Sequence, residues 1–139
     1  MVPMSTRRFT PTREWEDARQ LRGLAGELEA MACLVSRGWE LEAHRFRMGR
    51  HDLDLIMRRG RTVAFIEVKT RRGVLAGSPA QAVGRRKQST LARVAALWSL
   101  RYGRPADEYR FDVAEVLEGE SGGCQVVHIE DAWRLSGYS

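Results

Sequence analysis

The sequence predicts an α/β domain, a mixed sheet of about five strands flanked by helices in the order α, β, β, β, α, β, β. Three observations predict it. Apolar residues recur at helical spacing from Arg19 to Arg37, and again in the stretch from Ser78 to Tyr102. Between these stretches, two apolar runs flank the short basic turn Arg58-Arg59-Gly60-Arg61, a hairpin signal. Two further alternating stretches follow the second helix.

The chain of 139 residues fits one domain with a sizeable core. Apolar residues make up 43% and charged residues 29%, the balance of a soluble globular protein. Its apolar runs fall far short of the roughly 18 residues that a membrane span needs. The basic N-terminus lacks the apolar core of a signal peptide. Cys33 and Cys124 have no metal-ligand spacing, and nothing demands an oxidising compartment, so a cytoplasmic location is expected. Residues 1–18 are set apart as a flexible tail and residues 19–139 as the domain.

In the first helix Leu21, Leu24, Ala25, Leu28, Met31, Ala32 and Val35 form the expected buried stripe, Cys33 reads as core, and Gly38 fits the position that ends the helix. Glu27 lies on the flank of that stripe. Gly26 lies nearly opposite it, where close approach of another backbone or of a nucleic acid would explain a residue that weakens a helix. A first strand is expected over Trp39 to Arg47.

The hairpin supplies the second and third strands. Side chains alternate faces along a strand, so Asp52, Asp54 and Ile56 share one face, and Leu53, Leu55 and Met57 the other. On the next strand Val63, Phe65, Glu67 and Lys69 share a face. With residues 58–61 as a four-residue loop, Met57 lies opposite Thr62, and Asp54 is a diagonal neighbour of Glu67, about 7–8 Å away. An even loop is required, since a one-residue slip turns a strand over. An Asp beside a Glu-x-Lys suits metal-assisted phosphodiester cleavage. Magnesium takes oxygen ligands from one or two carboxylates, a bound ion activates water, and a lysine orients it or stabilises the transition state.

After the hairpin, Ser78 reads as an N-cap, Pro79 as the first helical residue, and Gln81 as the partner that completes a capping box, with a substrate contact as its secondary role. The helix then runs to about Tyr102, with a bend expected near Gly84. Its stripe is Leu91, Val94, Ala95, Trp98 and Tyr102, and Lys87 extends that stripe as a snorkelling stem or a phosphate contact. Tyr109 to Leu117 and Gln125 to Ile129 read as the last two strands, with Gly119 to Gly123 as the turn between them.

The net charge of +5 comes mostly from arginine. Basic residues bracket the carboxylates: Arg45, Arg47 and Arg50 before the hairpin, Arg58, Arg59 and Arg61 in its turn, and Arg71, Arg72, Arg85, Arg86 and Lys87 after it. Such a surface collects polyanions with salt-dependent affinity.

Gly23-x-x-Gly26-Glu27, Asp52-Leu53-Asp54-Leu55-Ile56, Phe65-Ile66-Glu67-Val68-Lys69-Thr70-Arg71, Gly77-Ser78-Pro79-x-x-Ala82-Val83 and Lys87 together resemble the YraN family. The match runs from about Leu21 to Trp133 in one order. That family belongs to the restriction-endonuclease-like superfamily and is similar to archaeal Holliday-junction resolvases. The resemblance implies a restriction-endonuclease-like core. It maps Asp54, Glu67 and Lys69 onto the superfamily's catalytic residues, and Glu27 onto a helix carboxylate that joins Asp54 and Glu67 at the metal. The chain departs from the family pattern at His51, Asp52 and Gln81, where Gly, Glu and Glu are usual.

The expected function is that of a Mg²⁺- or Mn²⁺-dependent DNA endonuclease acting on branched or repair intermediates. Its nucleic-acid contacts would include Arg47, Arg71, Arg72, Gln81 and Lys87. No membrane partner is expected, and a homodimer is allowed. The alternative is a non-catalytic nucleic-acid-binding module that keeps the fold.

Overall fold

The computed structural model describes residues 11–72, 83–118 and 125–135, with side chains described from Asp17 onward and that of Arg72 left out. The elements are α1 (Pro11–Ser36), β1 (Glu40–Met48), β2 (His51–Arg59), β3 (Thr62–Arg72), α2 (Arg85–Tyr102), β4 (Glu108–Glu118) and β5 (Val126–Trp133). The strands form one sheet in the order β1-β2-β3-β4-β5, with β3 and β4 parallel and every other pair antiparallel. This is the expected mixed five-stranded α/β arrangement. A parallel pair needs a crossover, and the segment containing α2 supplies it.

Each face of the sheet carries its own core. On one face Ala30, Cys33 and Leu34 of α1 pack with Leu55, Met57, Ala64 and Ile66. On the other, Leu91, Val94, Ala95 and Trp98 of α2 pack with Ile56, Val63, Phe65 and Val113. No helix among the described residues is long and apolar enough to cross a membrane.

The structure rotates α1 relative to the expected stripe. Leu21, Leu28 and Val35 are exposed, while Gly26, Glu27, Ala30, Cys33 and Leu34 are buried. The buried face is built of small residues, and that lets the helix lie close to the sheet. At Gly26 an added Cβ would run into the Thr70 side chain of β3. The glycine is therefore explained by packing against the sheet, not by an external partner. The helix also starts earlier than expected, at Pro11, where a missing N–H costs nothing in a first turn.

The hairpin loop is shorter than expected. Arg59 pairs with Thr62, so Gly60 and Arg61 alone make the turn. Gly60 has φ +65, as the primed hairpin turns demand at that position. The turn arginines are also taken up internally. Arg58 is buried between Glu42 and Asp107, Arg59 lies 3.7 Å from Glu130 and over the Trp39 ring, and Arg61 pairs with Glu108 at 2.7 Å. They stand at the far end of the hairpin from the carboxylates.

The second helix begins at Arg85, with Gly84 extended before it (φ −64, ψ 159), so it does not run through Gly84 with a bend. Tyr102, expected in its buried stripe, is exposed. The capping residues proposed at Ser78, Pro79 and Gln81 lie outside the described residues, as does the turn at 119–123. The last strand extends past Ile129 to Trp133.

Candidate active site

Strand alternation breaks where the site is built. Leu53 packs on the α2 face with Ile56, while Leu55 packs on the α1 face, so Leu53 and Leu55 do not share a side. Opposite Asp54 on β1 stands Arg45, whose φ of +56 marks a kinked backbone, and the ladder pairs His44 with Leu55 and Phe46 with Leu53 on either side of it. The partners between β2 and β3 end at Leu55 and Ile66. Beyond that point the strands part, and the Val68 N–H donates to Asp54 Oδ2 at 2.8 Å. A backbone donor that would have lost its partner is thus satisfied by the site carboxylate.

The carboxyl groups of Asp54 and Glu67 lie against each other. Continuing the ladder places them directly opposite, not diagonally. Glu67 is buried, and Lys69 Nζ stands 3.8 Å from its Oε2. Lys87 reaches across from α2 and pairs with the same oxygen. The other oxygen, Oε1, is buried with no hydrogen-bond donor among the described residues. Burial first, and then the neighbouring Glu67 charge, push the Asp54 carboxyl up to about 8. The Asp54–Glu67 pair thus holds a proton more tightly than a solvated carboxyl does, and a bound cation would favour its release. Burial alone would lower the Lys87 ammonium, but the hydrogen bond and charge of Glu67, aided by Asp54 and Asp52, raise it above the usual lysine value.

Glu27 sits in the first buried turn of α1, and its negative charge acts on Asp54. Both its oxygens are engaged. His44 Nε2 and Arg45 Nε each lie 2.7 Å from Oε1, and a second Arg45 nitrogen donates to Oε2 at 3.3 Å. Glu27 in turn raises the Arg45 guanidinium pKa, chiefly through that hydrogen bond. The Arg45 kink directs a cation onto the helix carboxylate.

Sequence reasoning missed His44, and it took Arg45 only as one of the basic residues around the hairpin. It also missed Glu115. In the parallel register Glu115 stands beside Lys69 on β4 and is almost wholly buried. Arg71 Nε lies 3.0 Å from its Oε1 and donates to Oε2 at 3.2 Å. The parity that groups Tyr109, Phe111 and Val113 also includes Glu115, so alternation was the available signal.

The remaining expected contacts are placed unevenly. Arg47 is exposed, 3.9 Å from the half-exposed Asp52. Arg72 ends β3, and Gln81 lies outside the described residues. An open groove of about 550 Å³ runs beside Lys87, lined in part by Arg50, His51, Asp52 and Arg86. Its cations suit a phosphate backbone.

The model of the uncharacterised protein family UPF0102 matches residues 26–116. The chain is 40% identical over 111 residues to a UPF0102 protein of Symbiobacterium thermophilum, covering 80% of this chain and 94% of that one. It is 38% identical over 112 residues to one from Beutenbergia cavernae, covering 81% and 95%. A third, from Nocardia farcinica, is 42% identical over 99 residues, covering 71% and 78%.

Proposed function

The chain belongs to the uncharacterised protein family UPF0102, and on that premise we propose that it is a divalent-metal-dependent endonuclease cutting phosphodiester bonds in DNA. One observation carries the reading: Asp54 and Glu67 meet carboxyl to carboxyl, two lysines reach Glu67 Oε2, and Glu67 Oε1 is buried without a donor among the described residues.

The donor set fits Mg²⁺ or Mn²⁺. Magnesium is usually held by one or two carboxylates with water and phosphate completing its shell. No cluster of three or more His, Cys, Asp or Glu side chains suited to an ion occurs among the described residues, so the donors do not suit a four-ligand structural site. When bound, such an ion lowers the pKa of water and polarises the phosphate. The chain's own residues do the rest. Asp54 and Glu67 supply hard oxygens, and the pair gives up its proton to do so. Lys69 is near enough to hold the attacking water or the charge of the transition state. Lys87, once freed from Glu67, meets a phosphate. Glu27, held by His44 and Arg45 through both its oxygens, acts on Asp54 through its charge. The family's similarity to archaeal Holliday-junction resolvases is what supports branched or repair DNA as the substrate.

A second reading is favoured by the Lys87–Glu67 ion pair, which balances Glu67 without any metal: a nucleic-acid-binding module with no catalysis. Cleavage of linear, flap and four-way DNA with Mg²⁺ or Mn²⁺, beside calorimetric metal titration, separates the two. Glu67→Gln is expected to abolish metal binding and cleavage together. Lys69→Ala is expected to keep metal binding and lose cleavage by about 10²–10³-fold, the scale for removing one transition-state donor. If Glu67→Gln binds Mn²⁺ as the wild type does, the binding module becomes the better reading.

A further inference from the structure

Helix α2 packs chiefly against β1 and β2 and leaves part of the same sheet face uncovered over β3, β4 and β5. A groove of about 790 Å³ runs there, between the flank of α2 and the strands. Its floor is aromatic. Phe111 and Trp133 stack with centroids 4.1 Å apart, Phe65 and Tyr109 stack at 5.7 Å, and Phe65 meets Phe111 at 5.5 Å, so four rings form one surface. Phe65 and Trp133 are buried and form the base, while Tyr109 is 42% exposed at the edge. Small residues of α2, Ser89, Ala92, Ala96 and Ser99, form the wall.

The guanidinium groups of Arg93 and Arg134 flank this groove, whereas that of Arg110 turns to the other sheet face, over Trp39. Arg110 and Arg134 are paired with Asp112 and Asp131, while the Arg93 guanidinium makes no ion pair among the described residues. Phe65 stands two residues before Glu67 on β3, a distance of about 6–7 Å along a strand. The groove therefore ends close to the carboxylates, although none of them lines it.

We propose that this groove holds unstacked bases of a single DNA strand leading to the carboxylates, so that the substrate carries a single-stranded segment next to the scissile bond. The reasons are chemical. Aromatic faces accept any base by stacking, and flanking arginines hold the backbone phosphates, the combination used by proteins that bind single strands. A second copy of the chain fits less well, because it would bring a net charge of +5 to a groove already lined by arginine. The base-stacking groove rests on DNA as the ligand, and only the placing of the scissile bond rests on the proposed cleavage.

The test is binding without divalent ions. The full-length protein is titrated in EDTA with a labelled oligothymidine of about 15 nucleotides, and separately with a duplex of equal length. Tyr109→Ala is expected to weaken single-strand binding about tenfold or more, from the loss of one stacked base, and to leave duplex binding nearly unchanged. Tyr109→Phe keeps the ring and should bind as wild type. Arg93→Ala should lower the salt dependence of single-strand binding, and it serves if Tyr109→Ala fails to fold by circular dichroism. Equal losses on both DNAs, or none with either variant, would overturn the proposal. So would a dimer seen by sedimentation that Tyr109→Ala dissolves, since the groove would then belong to a second copy. Failure of the wild type to cleave with metal, beside intact single-strand binding, would reject the nuclease and leave this groove standing.

Discussion

Val68 donates its backbone N–H to Asp54 Oδ2 at 2.8 Å, just where β2 and β3 stop pairing. Asp54 therefore has a structural task beside its proposed chemical one. Asp54→Ala should remove the acceptor and cost about 1–3 kcal/mol, the usual penalty for an unsatisfied buried donor. Asp54→Asn keeps an oxygen there and should melt near the wild type while losing Mn²⁺ affinity. Thermal melts with and without Mn²⁺ check both, and they make the Asn variant the sounder inactive control.

Gly26→Ala should destabilise by about 1–3 kcal/mol, because its Cβ would run into Thr70 Oγ1 and push α1 from the sheet. Thr70→Ala removes that oxygen. The double variant should recover part of the loss, read as a coupling energy from urea unfolding.

The two faces of α1 should respond differently to truncation. Leu34, fully buried, should cost about 2–5 kcal/mol when changed to Ala. Leu28, 48% exposed, should cost no more than about 0.5 kcal/mol. Equal losses would return Leu28 to the core.

Acid unfolding should carry the mark of Asp107. The Arg58 guanidinium, hydrogen-bonded to both its oxygens, holds this carboxyl down at about 2. A carboxyl whose folded pKa is depressed contributes stability that is fully present above its unfolded value near 4 and is lost as pH falls towards 2. The two-unit shift corresponds to roughly 2–3 kcal/mol. Asp107→Asn should flatten the stability curve between pH 4 and pH 2 and lower stability at neutral pH. Chemical denaturation across that range measures it.

The hairpin was legible because its period is two. The expected loop was two residues too long, and an even error does not turn a strand over, so Asp54 and Glu67 still meet, while Leu53 changes sides at the break in alternation. What moved was their offset, from diagonal to opposite. The helix was less legible. Counting large apolar residues chose Leu21, Leu28 and Val35, whereas the sheet accepts the small face of Gly26, Ala30 and Cys33 with Leu34. The kink at Arg45 has no sequence signature, since it is a backbone angle imposed by the strands around it. Glu115 was readable in principle, because its parity with Val113 puts it on the face of Glu67 and Lys69.

The parallel pairing of β3 with β4 also bears on how the chain survives its own synthesis. β3 is complete at Arg72, but its neighbour does not begin until Glu108. At about 5–20 residues per second, the intervening stretch occupies the ribosome for about 2–7 s. During that time the apolar run Val63-Ala64-Phe65-Ile66 is a bare edge, the kind of strand that recruits other chains. The same strand ends in Glu67, Lys69, Arg71 and Arg72. Charges on an edge discourage such pairing. The residues proposed for chemistry would thus also guard the nascent strand. Replacing them all by apolar residues should lower the soluble yield before any loss of activity could be measured.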